Sequence, residues 1–283
     1  MTAAQKNRQK IGIVTFNQNE PYFDILRSEL NRQAELFGFN CDLRSVKGFS
    51  VKNEEAELDQ MLKSSIDLLI LTPLDDPRIG NCIKKFTDKG IPVITLHTDM
   101  PDSSRTCYVG ANSLKSGQIA GTLMKDLTGG SGEIAIITGS SKVYCHKMRV
   151  KGFVNYVRTF CPAMTVDSII EAEDDEYKCY EAVQKVLKDN PLINGFFFTA
   201  GGVYGGCKGI HQLTTRMSFH VITFTESDVV REYLKKDIID VTLTESPQDQ
   251  AVTAITVAAD LLAGKETEEQ HFLTNYLKIK ECL

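Results

Sequence analysis

The chain has 283 residues, with 32 Lys and Arg against 37 Asp and Glu; its net charge of -5 excludes a broad basic face for nucleic acid. A composition of 42% hydrophobic and 24% charged residues is that of a globular protein, with length for one large or two medium domains and a substantial core. No apolar run approaches the roughly 18 residues that span a bilayer, so a membrane partner is not expected.

Residues 1–10 are polar and basic, without the apolar segment of a secretory leader, which points to the cytoplasm unless a leader was trimmed. Eight cysteines lie scattered with no C-x-x-C pair, so they are expected to be free thiols in a reducing compartment.

Strand-like residues begin with IGIVTF at 11–16. A loop carries Asn17 and ends at Pro21, which suits an early helix position. A helix follows with Phe23, Leu26, Leu30, Ala34 and Phe37 on its apolar face, closed by Gly38. Then come a strand at 40–46, a helix at 53–63 and a strand at 66–72. Residues 73–77, with Asp75, form its exit loop. A helix at 82–89 leads to a strand at 93–96 that ends on His97, Thr98 and Asp99. A short strand at 108–110 and a helix at 113–127 complete this part.

The alternation restarts at 133–138, an apolar strand followed by the turn residues Gly139, Ser140 and Ser141. Helical spacing begins near His146, with Met148, Phe153 and Val157 on one face and Lys147 and Lys151 toward water. Strands are expected at 166–171, 195–199, 221–224 and 238–243, and a last one at 272–279. Helices fall at 176–188, 206–213, 227–235 and 248–262. Two runs of β–α alternation call for an α/β protein of two Rossmann-like lobes, with parallel sheets covered on both faces by helices.

Enzyme motifs are tested and fail. The run Gly201–Gly209 follows a strand, but Cys207 separates Gly206 from Lys208 and no Ser or Thr comes next, so it is no Walker loop. Its other reading is a flexible turn that lets backbone approach a ligand. No G-x-G-x-x-G follows the first strand, no G-x-S-x-G elbow exists, and the five histidines lack metal-site spacing. Neither a cofactor nor a metal is expected, and no catalytic set is visible.

What remains is a series of polar and aromatic residues at strand ends, where open α/β sheets bind ligands. They are Asn17, Tyr22 and Phe23 after the first strand, Asp75 after the third, and His97 and Asp99 after the fourth. In the second half they are Tyr144, Arg149, Thr225, Glu226 and Glu245. Rings flanked by carboxylates, amides and a guanidinium suit a small carbohydrate: the rings cover C–H faces and the polar groups take hydroxyls. Each also has a bland reading. Phe23 fits the core face of its helix, Asp75 sits in a proline turn, Arg149 could face water, and Glu245 could be a hinge residue.

The chain resembles the type I periplasmic-binding-protein fold, most closely the effector domain of lac-repressor-type (LacI family) transcription regulators and related sugar-binding proteins. The resemblance runs end to end, through IGIVTFNQNEPYFDILRSEL, GIPVITLHTD, YVGANSLKSGQIAG, GSGEIAIITGSSKVYCHKMRVKGF, VITFTES and the closing YLKIKECL. It implies an N-terminal lobe of residues 1–111 and 246–274 and a C-terminal lobe of 112–245 and 275–283. Three crossover segments, near 110–113, 244–247 and 273–276, join them around a ligand cleft. It places the family's stacking aromatics on Tyr22 and Phe23, its polar position on Asp99 or His97, its arginine on Arg149, its carboxylate on Thr225 beside Glu226, and its glutamine on Glu245. Departures are Ala200-Gly201-Gly202, where the family carries Asn-Asp or similar, and Thr225 in place of aspartate; both put a standard pentose or hexose ligand in doubt.

The expected function is therefore the ligand-sensing domain of a cytoplasmic regulator. It would act as a homodimer and reach operator DNA through a helix-turn-helix head not present in this chain. The alternative is an extracytoplasmic sugar-binding protein of an ABC transporter. Arg149→Ala is expected to abolish the stabilisation a ligand gives and to leave the unliganded fold intact.

Overall fold

In the computed structural model, residues 8–17, 21–213 and 219–283 are described, with the side chains of Asn17 and Leu213 also outside the description. The chain divides into two compact units, Met1–Ala111 with Ser246–Leu273, and Asn112–Glu245 with Thr274–Leu283. It passes from one unit to the other three times, giving a two-lobe α/β fold.

The first unit holds β1 (Lys10–Asn17), α1 (Pro21–Leu36), β2 (Asn40–Lys47), α2 (Val51–Met61), β3 (Leu68–Leu71), α3 (Pro77–Thr87), β4 (Val93–Leu96) and β5 (Cys107–Ala111). After the second unit's α4 (Ser113–Leu127), β6 (Ser131–Thr138), α5 (Tyr144–Phe160), β7 (Ala163–Glu171), α6 (Glu176–Asp189), β8 (Ile193–Phe198), α7 (Val203–Leu213), β9 (His220–Phe224), α8 (Asp228–Lys235) and β10 (Val241–Thr244), the chain returns to the first unit. There it adds α9 (Pro247–Leu262) and β11 (Gln270–Leu273), then closes with β12 (Tyr276–Lys278) and a short 3-10 turn, Lys280–Cys282, in the second unit.

Each unit has one six-stranded sheet, in the orders β11-β5-β4-β3-β1-β2 and β12-β10-β9-β8-β6-β7. Among the described residues all pairings are parallel except that of β10 with β12. The reason is visible in the sequence: LLIL of β3 and VITL of β4 are buried at every residue, so these strands take helices on both faces. In the second unit Phe196 and Phe198 point to one face of the sheet and Phe197 to the other, where it stacks on Phe153 at 5.0 Å. Each such buried ring contributes about 1.5–3 kcal/mol.

Four sequence expectations change. The single strand expected at 272–279 is two strands in two sheets. Thr274 and Asn275 lie between them, and the Asn275 amide donates to Ser116 Oγ at 2.9 Å. Helices α2 and α3 start earlier than their apolar spacing implies, because Ser50 and Asp76 cap them and Pro77 opens α3. Phe37 lies beyond the end of α1 and is 46% exposed, stacking on Phe39 instead of entering the core. The glycine run after β8 is largely helix: α7 begins at Val203, and a Cβ on Gly205 would stand 1.8 Å from the Glu176 carbonyl. That glycine serves helix packing, not approach to a phosphate.

Candidate functional site

Two clusters form at the carboxyl ends of the strands, one in each unit. In the first unit Tyr22 and Phe23 open α1 directly after β1. Phe23 is buried and meets Phe16 edge-on at 5.9 Å, and Phe16 meets Phe49 at 5.8 Å. Tyr22 is half-buried, packs on Phe23 at 5.3 Å and lies 4.9 Å from the His97 ring, with its hydroxyl 3.1 Å from His97 Nδ1.

His97 adopts a left-handed backbone, φ 67°, just past β4. Such strain persists only where surroundings fix it. Here the Tyr108 hydroxyl holds the turn, shared between the carbonyls of His97 at 3.1 Å and Ala111 at 2.9 Å. Tyr22, Phe23 and His97 are thus brought together as one aromatic face; Asn17 ends β1, with its side chain outside the described residues.

Asp99 has another employment. Its carboxylate receives Arg105 Nε at 2.5 Å and Nη2 at 2.9 Å, Thr95 Oγ1 at 2.8 Å and the Met100 N–H at 2.7 Å, all in the interior. Asp75 lies half-buried on the loop leaving β3. Beneath that loop the Leu74 N–H donates to both oxygens of Glu54, at 3.1 and 3.2 Å.

Burial pushes the Glu54 carboxyl up to about 8, with the Leu74 N–H opposing the rise and Asp76 adding to it. Because the folded value is raised, the folded protein binds the proton more tightly than the unfolded chain. Glu54 therefore makes stability greatest below its unfolded value, with a loss as pH rises toward about 8. The loss should reach about 1.4 kcal/mol per pH unit within that window. Urea unfolding from pH 5 to 8 measures the slope, and Glu54→Gln should flatten it.

In the second unit α5 starts two residues before the expected His146, and its buried face carries Cys145, His146, Arg149, Gly152, Phe153 and Val157. Arg149 thus takes the inward place assigned to Met148, which is only half-buried. Close helix contact makes this possible: a Cβ on Gly117 of α4 would stand 2.0 Å from the Arg149 carbonyl.

The Arg149 side chain is 3% exposed. Its Nη1 donates to the Thr199 carbonyl at 3.0 Å and Nη2 to Glu245 Oε1 at 2.9 Å, while its guanidinium carbon lies 3.5 Å from the Phe224 ring centre. Among the described residues its Nε–H, also buried, has no partner. Where Ala200 and Gly201 offer no polar side chain, the backbone carbonyl of Thr199 does that work.

Thr225 follows Phe224, its carbonyl accepting from Thr242 Oγ1 at 2.6 Å. Glu226 turns away to Lys278 at 2.5 Å and Arg231 at 2.8 Å. Burial raises its carboxyl, but those two cations outweigh the effect and hold it below the usual range. Tyr144 is half-buried, with Lys147 Nζ 6.0 Å from its ring. Arg149 and Glu245 are brought together in the interior, and Glu226 is engaged elsewhere.

Sequence reasoning missed Phe16, Phe49, Phe224, Thr199 and Arg105. Phe16 and Phe224 each end an apolar strand, a signal that also marks core. Thr199 acts through backbone, which no side chain announces. Among the described residues no group of three or more His, Cys, Asp and Glu could hold a metal ion, and no helix is long and apolar enough to cross a membrane.

A model of the periplasmic binding protein domain matches residues 11–266. The chain belongs to the periplasmic binding protein family. The ribose import binding protein RbsB of Bacillus subtilis is 20% identical over 268 residues, 94% of this chain and 86% of that protein. GanP, a glucose-galactose binding protein from Geobacillus stearothermophilus, superposes with a TM-score of 0.93 at 25% identity, covering 98% of this chain and 99% of that one.

These matches correct the reading of the chain as the effector domain of a cytoplasmic regulator. The transcriptional repressor PurR of Histophilus somni, 27% identical, aligns with only 67% of this chain and 55% of its own length, while the import protein aligns nearly throughout. The operator-DNA partner falls with that reading, and the homodimer had no other support. Regulators and sugar-binding proteins had been grouped by the same motifs, which therefore could not separate them.

The cysteine argument for the cytoplasm fails for a physical reason. Cys82, Cys107, Cys145, Cys161, Cys179 and Cys207 are buried, and burial pushes the thiols of Cys107 and Cys179 up to about 11 and about 12. Protonated, enclosed thiols react slowly in any compartment, so their number says little about location.

Proposed function

We propose that this periplasmic binding protein is the carbohydrate-binding component of an ABC-type importer. It works outside the cytoplasm and binds its ligand without transforming it. The observation that carries the reading is the match to a ribose import binding protein along 94% of the chain.

The strand-end clusters suit that role. The Tyr22, Phe23 and His97 face offers rings to the C–H faces of a sugar. Arg149, already balanced by Glu245, has N–H protons left for hydroxyls. Because the pair carries no net charge, a neutral ligand adds no uncompensated charge to a buried site.

Thermal unfolding with D-ribose, D-xylose, D-glucose, D-galactose and D-allose tests this. One or more should raise the melting temperature, by about 2.7 kcal/mol of stabilisation at a hundred times its Kd. A folded protein that responds to no neutral sugar overturns the reading, as does a new product on incubation. Tyr22→Ala should weaken the binding of the responding sugar by about 1–3 kcal/mol in calorimetry; a variant that unfolds instead returns Tyr22 to the core.

A further inference from the structure

We propose that the hollow between α6 and α7, on the second unit, is a second carbohydrate site, taking a neutral pyranose ring independently of the strand-end clusters. Glycine makes the hollow. With hydrogen at the α-carbon, Gly205 lets α7 approach the first turn of α6, and its N–H donates to Glu176 Oε2 at 2.5 Å. That approach sets Tyr177 and Tyr180 of α6 beside Tyr204, Lys208 and Gln212 of α7, around a cavity of about 360 Å³. The volume lies at the lower end of the range, about 300–1,000 Å³, of small-molecule sites.

The lining is both aromatic and held. Tyr204 is 45% exposed and stacks on Tyr233 at 6.2 Å, which holds one ring of the lining in place. Tyr177 is 66% exposed. The Tyr180 hydroxyl donates to Gln212 Oε1 at 2.7 Å, leaving the amide N–H₂ of Gln212 as a donor. Lys208 Nζ lies 5.9 Å from the Tyr204 ring and, among the described residues, pairs with no carboxylate.

These groups select the ligand class. An anion would meet one ammonium and also the Glu176 carboxylate. A cation would compete with Lys208 for the Tyr204 ring. A neutral ring with C–H faces and hydroxyls fits both parts: tyrosine for the faces, Lys208 and Gln212 as donors, Glu176 as acceptor. Such open, two-helix sites bind weakly, with Kd about millimolar.

The probes are methyl β-D-glucopyranoside, methyl β-D-galactopyranoside, methyl α-D-mannopyranoside and cellobiose, followed on the full chain by NMR with tyrosine-selective ring labels. One or more should shift the Tyr177 and Tyr204 signals with saturation. Tyr204→Ala should weaken that binding about five- to tenfold, and Tyr204→Phe, which keeps the ring, should retain it. In Tyr22→Ala the same shifts should persist, so loss of the strand-end site and loss of this one are read separately. No probe shifting these tyrosines overturns the proposal, as does wild-type affinity in Tyr204→Ala or disappearance of the shifts in Tyr22→Ala.

Discussion

Arg149→Met is expected to lower folding stability by about 3–5 kcal/mol, because it leaves Glu245 charged and 4% exposed with its guanidinium gone. The sequence reading, which has the unliganded fold survive loss of this arginine untouched, follows from a side chain at a helix start; the buried ion pair changes the outcome. Adding Glu245→Leu should restore most of the lost stability, since a buried pair replaced by packed apolar side chains is often neutral. Sugar binding should not return in the double variant, because the donors stay absent. Urea unfolding reads the first effect and calorimetry the second. A single variant as stable as the parent would show that other groups, and not Arg149, keep Glu245 satisfied.

The division between what could and could not be read in this sequence follows physical lines. Strands β3, β4 and β8 announce themselves because burial on both faces demands runs rich in apolar residues, as in LLIL, VITL and the three phenylalanines of β8. Tyr22 and Arg149 stand out because a polar or aromatic residue just past such a strand is exposed to question. The fate of each carboxylate was hidden. Asp99, Glu226 and Glu245 look alike in sequence, yet one meets Arg105, one meets Arg231 and Lys278, and one meets Arg149.

Those partners lie 5 to 96 positions away, and local spacing carries no trace of the longer pairings. Function divided the same way. The motifs that define the fold are common to sensors and transport proteins, so they offered candidate residues without choosing between the two. The choice needed alignment along the whole chain.

Asp99→Ala should separate support from recognition. The Arg105 side chain is 2% exposed, and Asp99 takes two of its N–H groups while also receiving Thr95 and the Met100 amide. The other carboxylate near Arg105 is that of Glu269, at 3.5 Å with its side chain 75% exposed, where water screens it. Removing Asp99 therefore strands a buried charge, takes the acceptor from the Met100 N–H and leaves Thr95 Oγ1 only the Cys107 carbonyl at 3.4 Å, at a cost of about 3–5 kcal/mol. Because those four hydrogen bonds already occupy the carboxylate, little of it remains for a ligand. Asp99→Asn, which keeps the shape and one acceptor, should lose stability while changing sugar affinity less than about threefold, under 1 kcal/mol. Tyr22→Ala should do the reverse, losing affinity with the fold intact. An Asp99→Asn protein that stays fully stable yet no longer binds sugar would make Asp99 a ligand group, and Arg105 its holder.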